Sequence, residues 1–253
     1  MTVINLQKFI TDYVRNPKIR RFPFGSIDQY NFDPGEKQLL KDLDFNILNK
    51  LAIDLQRKRA KRLEQQFPEF FEMIKYSGSY SDYLEEYLSK FNEAYITPEN
   101  EMKNFIQFST CYIENNNLPE YFIDVAKYCY YLSLTLIQSF ETSPNEGDIK
   151  IDCPLQIVRP FNIIKLNYDF ESIMEMIDGE RDKPIIRKHS IIVQKDFYEP
   201  GDLIINEVDE QLLDMLVSNY SLCEILNSFN NNEDVKEFVI DLYNSNSISH
   251  KEN

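Results

Sequence analysis

Histidine is scarce. The 253-residue chain has two, His189 and His250, so a single chain cannot assemble a multi-histidine metal site. The four cysteines, Cys111, Cys129, Cys153 and Cys223, form no CxxC pair and no short Cys/His spacing. That speaks against a zinc cage and reads as free, mostly buried thiols in a reducing compartment. The six glycines stand too far apart for GxGxxG or a P-loop, and GxSxG, HExxH and DxDxDG are absent. Glycine-cradled nucleotides and the common hydrolase arrangements are thereby disfavoured; no catalytic, cofactor-binding or metal-ligating set is assigned. The longest apolar run, Tyr128 to Ile137, is broken by Ser133 and Thr135 and falls short of the ~20 residues of a membrane helix. The N-terminus carries Lys8 and Arg15 on an amphipathic pattern, unlike a signal peptide. A cytoplasmic protein with no membrane partner is expected.

What is abundant is acid, and it is unevenly placed. The formal net charge is −15, yet residues 1–62 hold 13 Lys+Arg against 7 Asp+Glu, while the remainder holds 14 against 35. The basic excess gathers in Lys18, Arg20 and Arg21 and in the strip Arg57, Lys58, Arg59, Lys61 and Arg62. Such a cluster can be a phosphate footprint. Here it lies in a helical pattern on a molecule that repels polyanions, so a solvated helix face that pairs with the protein's own acidic surface or with a partner protein is the better reading, and no nucleic acid is expected. Arg57, Lys58, Lys61 and Arg62 are the candidate partner-docking residues.

The expected fold is α+β: an all-α helical bundle over residues 1–145, then a small winged-helix-like α/β domain over 146–253. Val3, Leu6, Phe9, Ile10, Tyr13 and Val14 recur at helical spacing until Asn16-Pro17. Residues 17–35, rich in Pro, Gly and aromatics, read as a pinned loop. Asp33-Pro34, Asp44, Phe67-Pro68, Ser79 or Ser81, Thr97-Pro98-Glu99 and Leu118-Pro119 then mark successive helix starts or breaks. The last of these helices, Phe122 to Ile137, is apolar nearly all round and is expected at the bundle centre. The dense Phe and Tyr content of this half reads as core.

The turn formers of Thr142–Gly147 mark the expected domain boundary. Strands are expected at Ile149–Cys153, Leu155–Val158, Phe161–Leu166, Ile185–Gln194 and Leu203–Ile205, with a turn at Glu199-Pro200-Gly201-Asp202. Three helices follow at Glu207–Ser218, Ser221–Phe229 and Glu233–Ser245, the second opened by a Ser221/Glu224 capping box. Residues 246–253 read as a frayed polar end.

Two resemblances attach to these residues. Leu203-Ile204-Ile205-Asn206, Leu212-Leu213, Leu216, Ser221, Glu224-Ile225, Phe229, Val235, Phe238, Leu242 and Ile248 together resemble the peptide-chaperone family of pyrroloquinoline-quinone biosynthesis. Asn219-Tyr220 stands where that family has Asp-Gly. The N-terminal half, through Leu6…Phe9-Ile10…Arg20-Arg21-Phe22 and Leu43-Asp44…Leu55-x-x-Lys58-Arg59…Phe67-Pro68, resembles the helical partner subunits of multinuclear non-haem iron-dependent oxidases. The resemblances imply a non-enzymatic protein without a cofactor of its own. It would bind the leader of a ribosomally made precursor peptide and form a heterodimer with a metallo-oxidase that carries the iron.

A physical route leads to the same place. An exposed strand edge beside a helix accepts an extended peptide by strand addition. The expected edge is Ile191, Ile192 and Val193, with Val235, Phe238, Val239 and Leu242 lining the groove; the competing reading is that all of them fill the small domain's core. An acidic C-terminal half favours a basic leader or a basic patch on the partner. Two other classes stay open. A winged-helix DNA regulator would present Lys or Arg on its third helix, but Glu233-Asp234-Val235-Lys236-Glu237 is acidic. A stand-alone enzyme could pair Cys153 or Cys223 with His189, which sits among Arg187, Lys188 and Ser190 in an exposed-looking strand.

Overall fold

A computed structural model describes residues 4–21, 27, 29–93, 96–140, 145, 147–158, 160–196, 199 and 201–251. Val3, the loop segment 22–26, most of the turn-former run (141–144 and 146), Pro200 and the last two residues lie outside them. The fold is α+β: a helical N-terminal region precedes a mixed region with small antiparallel sheets. The chain divides into two compact units, Met1–Asn116 and Asn117–Asn253.

The first unit contains α1 (Ile4–Arg15), α2 (Pro17–Arg21), α3 (Pro34–Lys41), α4 (Phe45–Gln66), α5 (Pro68–Tyr76), α6 (Tyr80–Lys90) and α7 (Pro98–Asn115). Helix α1 ends at Arg15, just before Asn16-Pro17 as expected, and Pro17 then sits at the first position of a short second helix that takes up the start of the stretch read as a loop; its missing N–H costs nothing there. Asp33 caps α3, Asp44 caps α4 and Thr97 caps α7, each accepting from backbone N–H groups of the first turn. Ser79 stands at the start of α6 but makes no side-chain cap bond.

Two aromatic cores hold this unit. In one, Phe9 of α1 meets Tyr30, Phe32 and Phe45 edge-on at 5.4–6.5 Å. In the other, Phe67 stacks on Phe105 while Phe70, Phe71, Phe108 and Tyr112 pack around Tyr83. Glu36, buried in the first turn of α3, ties three segments together. Its Oε2 accepts from the Asp33 N–H at 3.0 Å, and its Oε1 accepts from the Asn5 and Leu6 N–H groups at 2.8 and 3.0 Å. One carboxylate thus closes the capping box of α3 and satisfies orphan donors at the start of α1.

The second unit begins with α8 (Tyr121–Ile137), followed by β1 (Leu155–Ile157), β2 (Phe161–Tyr168), α9 (Phe170–Ile177), β3 (Ile186–Lys195), β4 (Leu203–Val208), α10 (Glu210–Val217), α11 (Leu222–Ser228), α12 (Glu233–Asn244) and β5 (Ile248–His250). β2, β3 and β4 form an antiparallel sheet in that spatial order, with Ile163 opposite Ile192 and Val193 opposite Ile205. One face, with Phe161, Ile163, Ile192 and Val208, packs on Leu212, Leu213, Ile225, Val239 and Leu242 of the three last helices. The other face, with Ile164, Leu166, Ile191 and Val193, packs on Tyr128, Tyr131 and Leu132 of α8 and Phe170 of α9.

Several expectations are corrected. Helix α8 covers a sheet face instead of filling the centre of the N-terminal bundle, so the unit boundary falls at Asn116/Asn117 and not near residue 145. An all-round apolar helix needs burial on every side, and helical and sheet partners satisfy it equally. The tail is not wholly frayed: β5 pairs with β1, Ile248 opposite Ile157, and Ile248 is fully buried. Ile149–Cys153 is not a strand, with a turn at Ile151-Asp152, and the segment between β2 and β3 carries a helix, α9, capped by Asp169. The Ser221/Glu224 capping box is present. Asn219 takes a left-handed φ of 61°, which supplies the tight turn between α10 and α11 without the glycine of the Asp-Gly pattern.

The three backbone donors, Asp33 first, hold the Glu36 carboxyl below its ordinary 4.5, so it contributes stability above pH 4.5 that is lost as pH falls through its folded value. Glu36→Gln is therefore expected to lower the melting temperature at pH 7 and to flatten its fall on acidification below pH 4.5. Circular dichroism melts across pH 3–7 check this; parallel curves for both proteins would contradict it.

Candidate functional site

The structure separates the proposed peptide-groove residues into two sets. Ile191, Ile192 and Val193 lie in β3, which pairs with β2 on one side and β4 on the other. They are a buried centre, not an edge: exposures are 7%, 0% and 0%. Three consecutive apolar residues, rather than an alternating pattern, mark a strand covered on both faces. Val239 and Leu242 belong to the core beneath the sheet. Only Val235 and Phe238 remain half-buried at the margin of that core.

The sheet has two outer edges, and they differ. At the far end of β2, the buried Asp124 of α8 reaches across, its Oδ2 accepting from the Asn167 and Tyr168 N–H groups at 2.6 and 3.0 Å. That carboxylate blunts the β2 edge. No strand pairs with the outer side of β4 among the described residues. By register, Ile204 shares the face of Gln194 and Ile192, while Ile205 lies on the opposite face and is 42% exposed. An edge strand with unpaired main-chain groups and exposed apolar side chains is a template for a further strand.

The surroundings of this edge are acidic. Residues 117–253 carry 25 Asp+Glu against 11 Lys+Arg. Within the sheet, Arg187 of β3 is already engaged, bound to Asp169 at 3.0 Å and to Glu207 of β4. A segment laid along β4 would meet negative charge, which favours lysine or arginine on it.

His189 is not exposed, contrary to the expectation; it is 8% accessible, with Nδ1 2.9 Å from the Arg187 carbonyl oxygen. No hydrogen bond joins it to Cys153 or Cys223 among the described residues. Of the four thiols only Cys129 is buried; Cys153 and Cys223 are half-buried and Cys111 is exposed. No group of three or more His, Cys, Asp or Glu side chains is placed to hold a metal among the described residues. Among the same residues no helix is long and apolar enough to cross a membrane.

The basic strip of α4 also divides. Arg57 is exposed and 3.8 Å from Asp54, and Lys61 is exposed. Lys58 and Arg62, with Arg15 and Arg59, line a cleft of about 400 Å³ whose apolar walls include Val14, Leu55, Leu88 and Ile96. Beneath it Glu101, 1% exposed, accepts from Arg62 at 2.7 Å, Arg59 at 3.3 Å and the Tyr87 hydroxyl at 2.6 Å. Arg59 also donates to the Phe91 carbonyl and lies 5.8 Å from the centre of the Tyr87 ring. Burial, then the neighbouring Glu101 carboxylate, push the Tyr87 hydroxyl well above its usual range, so it stays a donor. Nothing near Glu101 in the sequence shows that it is buried; that follows from α4, α6 and α7 meeting.

No protein-family model matches the chain, and no curated protein matches it.

Removing the Glu101 carboxylate leaves the mostly buried Arg59 guanidinium without its ion partner and the buried Tyr87 hydroxyl with only the long 3.4 Å bond to the Glu101 carbonyl. Glu101→Ala is expected to lower unfolding free energy by about 3 kcal/mol in urea titration. A change under ~0.5 kcal/mol, the range of ordinary surface substitutions, would show that the knot carries no weight.

Proposed function

We propose that this chain is a non-catalytic cytoplasmic accessory protein. It binds the leader of a ribosomally made precursor peptide and delivers it to a separate metal-dependent oxidase that modifies the peptide. The observation that carries this reading is the unpaired outer edge of β4. The residues resembling the peptide-chaperone family begin on this same strand, at Leu203-Ile204-Ile205-Asn206. They continue through the paired leucines of α10, the Ser-x-x-Glu-Ile start of α11 and the third helix, α12.

On this reading the leader extends the sheet to four strands. Main-chain hydrogen bonds to β4 supply affinity without regard to sequence. Selectivity comes from alternate side chains: those on the helical face lie next to Ile204, those on the other next to Ile205. Basic residues in the leader are favoured by the surrounding carboxylates. The chemistry belongs to the oxidase, and this chain supplies proximity: a tethered substrate meets the enzyme at high effective concentration.

The DNA-regulator reading has less support. The first turn of α12 carries Glu233 and Asp234, and its Lys236 is paired with Glu233 at 2.5 Å.

The test titrates the full chain with the precursor peptide encoded beside its gene, followed by fluorescence anisotropy. Binding in the micromolar range is expected, weakened at least tenfold by Ile205→Lys with no change in melting temperature, since a lysine on an edge strand blocks strand addition. Dissociation constants of about 1 mM or weaker, or full affinity in Ile205→Lys, would remove the proposal's basis.

A further inference from the structure

The face of α4 that leads into the basic cleft carries a second binding surface. Ile47, Leu51, Leu55, Lys58 and Arg62 recur at steps of three and four and so form one row along the helix. Its apolar part is open: Ile47 is 63% exposed, Leu51 47% and Leu55 43%. Isolated exposed leucines need no explanation, but three aligned and running into a cleft form a continuous patch. At the cleft end, Arg15 and Lys58 have no ion-pair or hydrogen-bond partner among the described residues, and Arg62 keeps 57% of its side chain exposed while bound to Glu101. Among the described residues Glu93 is the one acidic side chain on the lining. The Gln56 amide nitrogen, also on the lining, is buried without an acceptor.

We infer that this row and cleft seat an amphipathic helix of a partner protein, its leucine-type face on Ile47, Leu51 and Leu55 and its glutamate or aspartate side chains in the cleft. Charge complementarity selects this occupant. Four cationic side chains converge in a molecule of net charge −15, and a carboxylate entering the cleft would gain Arg15 and Lys58 and accept from Gln56. A cleft of about 400 Å³ has room for the carboxylate-bearing side chains of such a helix. The apolar row extends well beyond it along α4, farther than a small anion would use. Nucleic acid is disfavoured because residues 63–253 carry 35 acidic against 14 basic residues. The inference deepens the proposed function by giving the chemistry of the enzyme's contact, and it rests on that reading only for the partner's being the oxidase. The arginines held by Glu101 make the seat preorganised, so less side-chain entropy is lost on binding.

The probe is a labelled synthetic helix of about 20 residues, with leucines at steps of three and four and glutamates at one end. Its control replaces the glutamates with lysines. Anisotropy titration with the full chain is expected to show binding of the glutamate helix, weakened at least tenfold by the double substitution Arg15→Glu/Lys58→Glu and, separately, by Leu51→Lys. All variants should keep the wild-type melting temperature, and Ile205→Lys should leave this binding intact, so the cleft and the β4 edge fail independently. Should the double variant not fold, Leu51→Lys alone decides. Equal binding of the lysine helix, no binding at about 1 mM, or complete displacement by N-acetylglutamate would overturn the inference. So would a chain dimer that Lys58→Glu dissociates in sedimentation, since the occupant would then be a second copy.

Discussion

The second unit depends on β3 being closed on all four sides. It is paired along both edges and covered on both faces, by α8 and α9 above and by the three C-terminal helices below. Once the most apolar strand is central, the antiparallel order β2-β3-β4 leaves two margins, and Asp124 occupies part of one. Among the described residues the remaining margin, β4, is open as a consequence of how the interior is filled. A strand that is locally weak in burial but anchored to a rigid centre is what strand addition requires: the template is held in place while its outer hydrogen-bonding groups stay unsatisfied.

Buried carboxylates organise the first unit in a comparable way. Glu36 joins the starts of α1 and α3, and Glu101 gathers Arg59, Arg62 and Tyr87. In a strongly acidic chain these two, like Asp124 in the second unit, are buried and so add little to surface repulsion. Burying a charge is costly unless each lone pair is used, and in both cases three donors are aimed at one carboxylate. The second knot has a further effect: by fixing two arginines beside Arg15 and Lys58, which have no ion-pair partner among the described residues, it concentrates positive charge on a chain of net charge −15.

Local chemistry made much of the fold legible in advance. Asp33-Pro34, Asp44, Thr97-Pro98 and Ser221…Glu224 each announce a helix start because the cap and its target lie within four residues. The helical trio and most strands follow from periodicity. What was not legible depended on distant partners. The apolar surface of α8 is the same whether helices or a sheet cover it, and β5 is only three residues long and is defined by β1, some ninety positions earlier. In the candidate site, the uninterrupted Ile191-Ile192-Val193 marks a strand covered on both faces and paired along both sides, so these residues fill the core instead of forming the edge that strand addition needs. In the basic strip, Lys58 and Arg62 stand out in the sequence as a charge cluster, whereas Arg15 and the buried Glu101 come to the cleft from other helices.

Amide hydrogen exchange of the free, full-length protein addresses the central claim directly, since it reads each strand's hydrogen bonding without needing a ligand. The account predicts slow exchange throughout Ile191–Gln194 and an alternation along Leu203–Val208, with every second amide exchanging as fast as an open loop. Uniform protection along Leu203–Val208, together with rapid exchange in Ile191–Gln194, would mean that β4 is not the open margin and that the peptide reading has no place to bind.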